Sequence, residues 1–165
     1  MIYKLYYVDG TASMGIRVLL EEIGASYDLI QTTTDRRKPR PAEQLKLNPN
    51  GWVPVLLWDD SAMYECAAIT IFLCDRHSEA NLAPAINAPE RSLFLQTLVY
   101  FSSSIQTAFQ LDYHAHRFAN TPEDEPVFVD AVCDGILLSN SKSPILLPIV
   151  KYFPARLLIS LEKDM

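Results

Sequence analysis

Apolar and aromatic residues fill Ile2-Tyr3-Lys4-Leu5-Tyr6-Tyr7, a run that stops at Asp9-Gly10, so the chain opens with a strand ending in a turn. The period then changes. Ile16, Leu19, Leu20 and Ile23 recur at spacings of three and four, which predicts a helix from Met14 to Ile23, with Ser13 placed to cap its start and Gly24 to stop it. Tyr27 to Gln31 reads as a second strand. A strand, helix, strand order of this length implies a parallel pair joined by a right-handed crossover. Thr32 to Pro41 is polar and carries Arg36, Arg37, Lys38 and Arg40, a loop by composition. Val55-Leu56-Leu57-Trp58, the turn Asp59-Asp60-Ser61 and Ala62-Met63-Tyr64 predict a β-hairpin. A helix from Glu65 to His77, with Ile69, Phe72 and Leu73 on one face, closes the unit.

Residues 81–89 form a linker by composition, and beyond it the pattern is helical. Phe94, Leu98, Phe101, Ile105 and Phe109 make a stripe that advances by three and four, predicting one long helix from Glu90 to about Leu111. Asn120 to Pro126 reads as a loop and Val127 to Val132 as the beginning of another helix. Pro144, Pro148 and Pro154 then interrupt apolar runs, since proline cannot donate the helical hydrogen bond. The expected organisation is a thioredoxin-like α/β domain over 1–80, a linker over 81–89, and an incomplete all-α domain, truncated or divergent, over 90–165.

Composition narrows the partners more than the fold. The 165 residues are 49% hydrophobic, enough for a sizeable core, and the net charge of −6 argues against a surface that tracks phosphates. No nucleic-acid partner is expected. Cys66, Cys74 and Cys133 form neither a CxxC pair nor a metal-ligand spacing, and an odd count suits a reducing cytoplasm better than a disulfide framework. His114 and His116 lack a nearby third ligand, so no metal site is expected. Met1 to Tyr7 shows no basic leader, and the apolar segments are too short or too broken to span a bilayer, which predicts a protein without a secretory signal or membrane anchor.

Candidate chemistry lies at two places in the first domain. The Val53-Pro54 bond has only a small trans preference, so a fold can hold it cis at the entrance to a strand. Val53 would then turn its N–H and C=O outward, ready to pair with an extended peptide ligand. Downstream, Glu65 and Cys66 stand where a helix begins, and a helix start offers free N–H donors and a positive dipole end to a carboxylate. Cys66 there is either a thiol with a depressed pKa or a quiet small side chain. Trp52 and Trp58 flank hairpin elements and are expected to pack.

Leu5-Tyr6-Tyr7, the run Gly15 to Gly24, Asn48-Pro49-Asn50-Gly51-Trp52-Val53-Pro54 and Tyr64-Glu65-Cys66-Ala67-Ala68-Ile69 together resemble the cytosolic glutathione transferases, near the bacterial beta and theta classes. The resemblance runs from Ile2 to about Phe118. It implies a glutathione-binding domain, a helical domain that holds a small electrophile, a homodimer, and glutathione conjugation in detoxification. It also implies that Val53 and Pro54 hold the cysteinyl backbone, that Glu65 and Cys66 hold the γ-glutamyl end, and that a cation such as Arg37 meets the glycyl carboxylate. In that family a Ser, Cys or Tyr after the first strand donates to the glutathione sulfur, and a donor of this kind favours the thiolate nucleophile. A gap-free reading puts Ala12 at the usual Cys or Ser position, leaving Ser13 as the catalytic candidate and Thr11 as the second. Ser13 remains open between a helix cap alone and a cap that also serves catalysis. Gln106 falls where some bacterial relatives carry a histidine. Two other readings stay open: a glutathione-dependent disulfide reductase, and a non-catalytic truncated relative. The tail beyond about Cys133 does not resemble the family's later helices, and a truncation or a shifted reading frame would account for it.

Overall fold

The computed structural model describes residues 1–35, 37–107, 119 and 121–126. Arg36, Phe109, His114, His116, Cys133, the expected helix over 127–132 and the proline-broken tail lie outside the described residues. The chain divides into two compact units; described residues Met1–Arg91 belong to the first and those from Ser92 onward to the second.

In the first unit the strands are β1 (Tyr3–Tyr7), β2 (Tyr27–Gln31), β3 (Val55–Trp58) and β4 (Ser61–Tyr64). Three helices accompany them: α1 (Ser13–Ile23), α2 (Ala42–Leu47) and α3 (Cys66–Arg76). The sheet order is β2-β1-β3-β4, with β1 parallel to β2 and antiparallel to β3, and β3 antiparallel to β4. This is the mixed four-stranded, thioredoxin-like arrangement that the strand and helix order predicts. Leu5, Leu56, Leu20, Ile69 and Leu73 are wholly buried, and Tyr3, Tyr7 and Ile16 nearly so, in one cluster where α1 and α3 cover the sheet. Burial of this kind supplies the main driving force, about 1.5–3 kcal/mol for each large apolar side chain.

The hairpin turns on Asp59 and Asp60, and Asp59 takes φ +46, a left-handed conformation that Asp tolerates better than most residues. Trp58 packs against Phe72 on α3, with ring centroids 4.4 Å apart, while Trp52 stays 48% exposed, contrary to the expected packing role. Helix α2 is an element that the hydrophobic pattern does not announce, because six residues are too few to display a period. At the close of the unit, Arg91 makes a bidentate pair with Asp75, both N–O distances 2.8 Å, and also donates to the Pro84 carbonyl.

The second unit begins with α4 (Arg91–Tyr100 by its hydrogen bonds), in which Phe94 and Leu98 are buried. The expected single helix does not continue unchanged. Phe101–Ile105 forms a π-helical turn, and Ser103 donates its hydroxyl back to the Val99 carbonyl at 2.7 Å. Serine hydroxyls compete for backbone acceptors, and Ser102, Ser103 and Ser104 stand together here.

Candidate functional site

Strand register brings three separate sequence segments to one end of the sheet. Tyr6 lies opposite Val55, and Val55 opposite Tyr64. The residues just beyond these pairs are therefore neighbours: Val8 leaving β1, Val53 and Pro54 entering β3, and Glu65 leaving β4. A contact from the Cys66 thiol to the Ala12 carbonyl, 3.6 Å, ties the starts of α3 and α1 together at the same end.

The β1–α1 turn departs from the expected cap. Ala12 occupies the cap position of α1 in a helical conformation and makes no side-chain cap bond, so Ser13 is the first helical residue and not the cap. The Ser13 hydroxyl is wholly buried; it accepts from the Val8 N–H at 3.1 Å and reaches the Val8 carbonyl at 3.1 Å. The physical reason is that the Val8 N–H, leaving the strand ladder in a part-buried setting, takes the Ser13 hydroxyl as its acceptor. Thr11 supplies the hydroxyl that meets the first helical N–H, that of Ser13, at 3.3 Å. Thr11 Oγ1 also donates to the Val8 carbonyl at 2.7 Å and lies 2.7 Å from Ser13 Oγ. Both candidate hydroxyls thus share one acceptor, with Ser13 beneath and Thr11 part-exposed. Nearby, the Tyr7 hydroxyl donates to Asp9 at 2.6 Å, and that bond to a carboxylate, with burial, pushes its pKa up.

The second wall is the loop before β3. Val53-Pro54 is cis, as expected. Neither the N–H nor the C=O of Val53 enters a turn, loop or cap hydrogen bond among the described residues. Behind it lies a network that the sequence did not reveal. Gln44, wholly buried on α2, donates to the Gly51 carbonyl at 3.2 Å and the Trp52 carbonyl at 3.4 Å, and accepts from the Thr32 hydroxyl at 2.6 Å. Asn48 donates to the Trp52 carbonyl at 3.3 Å and accepts from the Asn50 N–H at 3.2 Å.

Among the basic residues, Arg40 reaches this loop, donating from Nε to the Gly51 carbonyl at 2.6 Å. Arg37, expected at the glycyl carboxylate, is exposed and pairs with Asp35 at 3.1 Å; its hydrogen bonds keep the Asp35 carboxyl below the usual range. Composition alone had no means of ranking the four cations.

The third wall is the start of α3. Glu65 is exposed and takes φ +77 and ψ 117, a backbone conformation that costs a non-glycine residue on the order of 1–3 kcal/mol. Its carbonyl accepts the first helical bond, from the Ile69 N–H at 2.9 Å, and no side chain caps the helix. Strain of this sort persists where the surroundings impose it, commonly at ligand sites. Cys74, further along α3, is buried, and its thiol is pushed up to about 11 mainly by burial. Among the described residues no group of three His, Cys, Asp or Glu could hold a metal ion, and no helix is long and apolar enough to cross a membrane.

A turn with hydroxyls, a strand entered through a cis proline and a helix start thus meet at one end of a thioredoxin-like sheet. Residues 11–76 match the glutathione S-transferase N-terminal domain family. The chain belongs to the cytosolic glutathione transferase family. It is 27% identical to glutathione S-transferase GstA of Escherichia coli O157:H7 over 108 residues, 64% of this chain and 54% of that protein. To the uncharacterized GST-like protein YncG of Escherichia coli K12 it is 32% identical over 123 residues, 73% of this chain and 59% of that protein. The chain therefore spans little more than half the length of these curated relatives. A sphingomonad glutathione S-transferase complexed with glutathione superposes with a TM-score of 0.69 at 25% identity, over 82% of this chain and 67% of that one.

Proposed function

We propose that this end of the first unit binds glutathione, and that the protein joins its sulfur to a small electrophile. The observation that carries the reading is the convergence of the Val53 backbone, the Glu65-Cys66 helix start and the Thr11 hydroxyl, fixed by the register Tyr6, Val55, Tyr64. In this reading the extended cysteinyl segment pairs with Val53 and packs over Pro54. The Glu65 carboxylate meets the ligand ammonium, and the first N–H groups of α3 meet its α-carboxylate, where the helix dipole favours negative charge. Arg40, rather than Arg37, is the cation nearest the glycyl end, since it lies on the Val53 loop. Association as a homodimer, an electrophile pocket supplied by the second unit, and work in the cytoplasm complete the proposal.

Thr11 takes the role assigned to Ser13. If the Thr11 hydroxyl swings to an incoming sulfur, Ser13, 3.1 Å from the Val8 carbonyl, can take over that acceptor, so neither buried group is stranded. A donor to the thiolate lowers the thiol pKa and raises the fraction of nucleophile. A second reading, binding without turnover, draws support from one fact: Ser13 is wholly buried, and Ala12 beside it offers only a methyl group.

Titration calorimetry with reduced glutathione tests the binding step. The expected affinity is micromolar to millimolar, about 4–8 kcal/mol. Absence of heat and of a thermal shift at saturating ligand would remove the proposal. Thr11→Val should then slow conjugation while leaving affinity nearly unchanged, because the lost bond is made mainly to the charged sulfur. If wild type and Thr11→Val bind alike and neither turns over, the binding-only reading stands.

A further inference from the structure

We infer that Gln44 is a positioning residue for ligand recognition: its buried amide holds the Trp52–Val53 peptide so that the Val53 N–H faces outward to the ligand. The inference rests on the glutathione reading for the identity of that ligand, but its geometry is independent of it.

The orientation of the Gln44 amide is forced. Two of its neighbours, the carbonyls of Gly51 and Trp52, can only accept, so the amide nitrogen must face them, and its oxygen is left to the Thr32 hydroxyl. Both N–H donors of the buried side chain are therefore used, and its oxygen is met by the Thr32 hydroxyl. Asn48 adds a second donor to the Trp52 carbonyl, so that oxygen is held from two sides. In a trans peptide the carbonyl oxygen and the next N–H point in opposite directions across a plane. Trp52–Val53 is such a peptide, the cis bond being the following one. Fixing the Trp52 oxygen inward thus fixes the Val53 hydrogen outward. A rigid donor costs the ligand no ordering on binding, which is how preorganisation raises affinity.

The same logic predicts what the wrong side chain would do. A carboxylate at 44 offers no donor to two carbonyls, and the peptide gains by turning over, so that Val53 gives its N–H to the carboxylate. The ligand then meets a carbonyl where it needs a donor. Methionine at 44 removes the donors without adding charge.

Gln44→Glu and Gln44→Met are compared with wild type by amide hydrogen exchange at Val53 and by calorimetry with two ligands. One is glutathione; the other is γ-glutamylcysteamine, which lacks the cysteinyl carbonyl that would accept from Val53. Folding of each variant is verified by its amide spectrum, and Gln44→Met serves if Gln44→Glu does not fold. In wild type the Val53 amide should exchange freely and become protected by glutathione. Glutathione affinity should fall about tenfold in the variants, the size of a lost hydrogen bond, and γ-glutamylcysteamine affinity should hold. In free Gln44→Glu the Val53 amide should be protected already. Equal loss for both ligands, or a folded Gln44→Glu with unchanged Val53 exchange, would overturn the inference. Should wild type bind neither ligand, the glutathione reading fails, while the exchange comparison at Val53 still decides the role of Gln44.

Discussion

Gly51→Ala probes the packing of the recognition loop most directly. Gly51 has φ +67, and a Cβ built there would lie 2.3 Å from Arg40 Cδ, 2.9 Å from Arg40 Nε and 3.1 Å from Leu45 Cδ2. Two costs add. Alanine in the left-handed region loses about 1–2 kcal/mol. The methyl also evicts the Arg40 side chain, which can move because it is long and flexible, but which then surrenders its 2.6 Å bond to the Gly51 carbonyl, about 0.5–1.5 kcal/mol. The expected loss is about 2–3 kcal/mol, or roughly 10 °C in Tm for a unit of this size. Thermal melts of wild type, Gly51→Ala, Arg40→Ala and the double variant separate the two costs. In the Arg40→Ala background the methyl meets little, and Gly51→Ala should cost only its backbone share. A coupling of about 1 kcal/mol is therefore expected. Equal cost in both backgrounds would show that Arg40 does not lie over Gly51 in solution, and the assignment of Arg40 to the ligand's glycyl end would fall with it.

Glu65 and Cys74 offer two further checks. Glu65→Gly relieves the φ +77 conformation, so it should leave Tm unchanged or raise it while weakening glutathione binding by about 1–3 kcal/mol; Glu65→Ala should weaken binding equally with no gain in Tm. A drop in Tm for the glycine variant alone would show that the backbone there is not strained. For Cys74, burial pushes the folded pKa from the ordinary 9.0 up to about 11, so the neutral thiol stabilises the fold below pH 9 and that contribution is lost as pH rises from 9 toward 11. Peptide mapping after alkylation at pH 8 should find Cys66 modified well before Cys74. The reverse order would contradict the burial seen here.

The elements whose burial follows a period were legible in the sequence. Leu5, Leu20, Leu56, Ile69 and Leu73 show their faces through alternation or through three-four spacing, and all five are wholly buried. The hairpin and both covering helices follow to within a residue or two. Polar residues recruited by tertiary structure left no such trace. Ser13 before an apolar helical run reads as a cap, yet its hydroxyl turns back to Val8, a partner five residues upstream that local capping rules do not consider. Gln44 sits in Ala42–Leu47, too short for a period, and its partners lie at positions 32, 51 and 52. The neighbouring cations are equivalent by composition, and what distinguishes Arg40 is that its side chain lies over Gly51, where a Cβ would have collided with it. The π-helical turn at Phe101–Ile105 was hidden for a related reason: an apolar stripe specifies a face, and three serines in a row decide how the backbone pays for it.

The Arg91 clasp bears on where this molecule can be cut. Residues 81–89 look like a dispensable tether, and a fragment designed from composition would end near residue 80. Such a fragment would leave Asp75 on α3 without the guanidinium that holds both its oxygens. Arg91 is largely buried, so the pair is partly desolvated, and removing one member leaves the other charge poorly compensated. A fragment that keeps this pair has to run through Arg91, and the stretch that resembles a tether is a strap sewn back onto the domain it leaves.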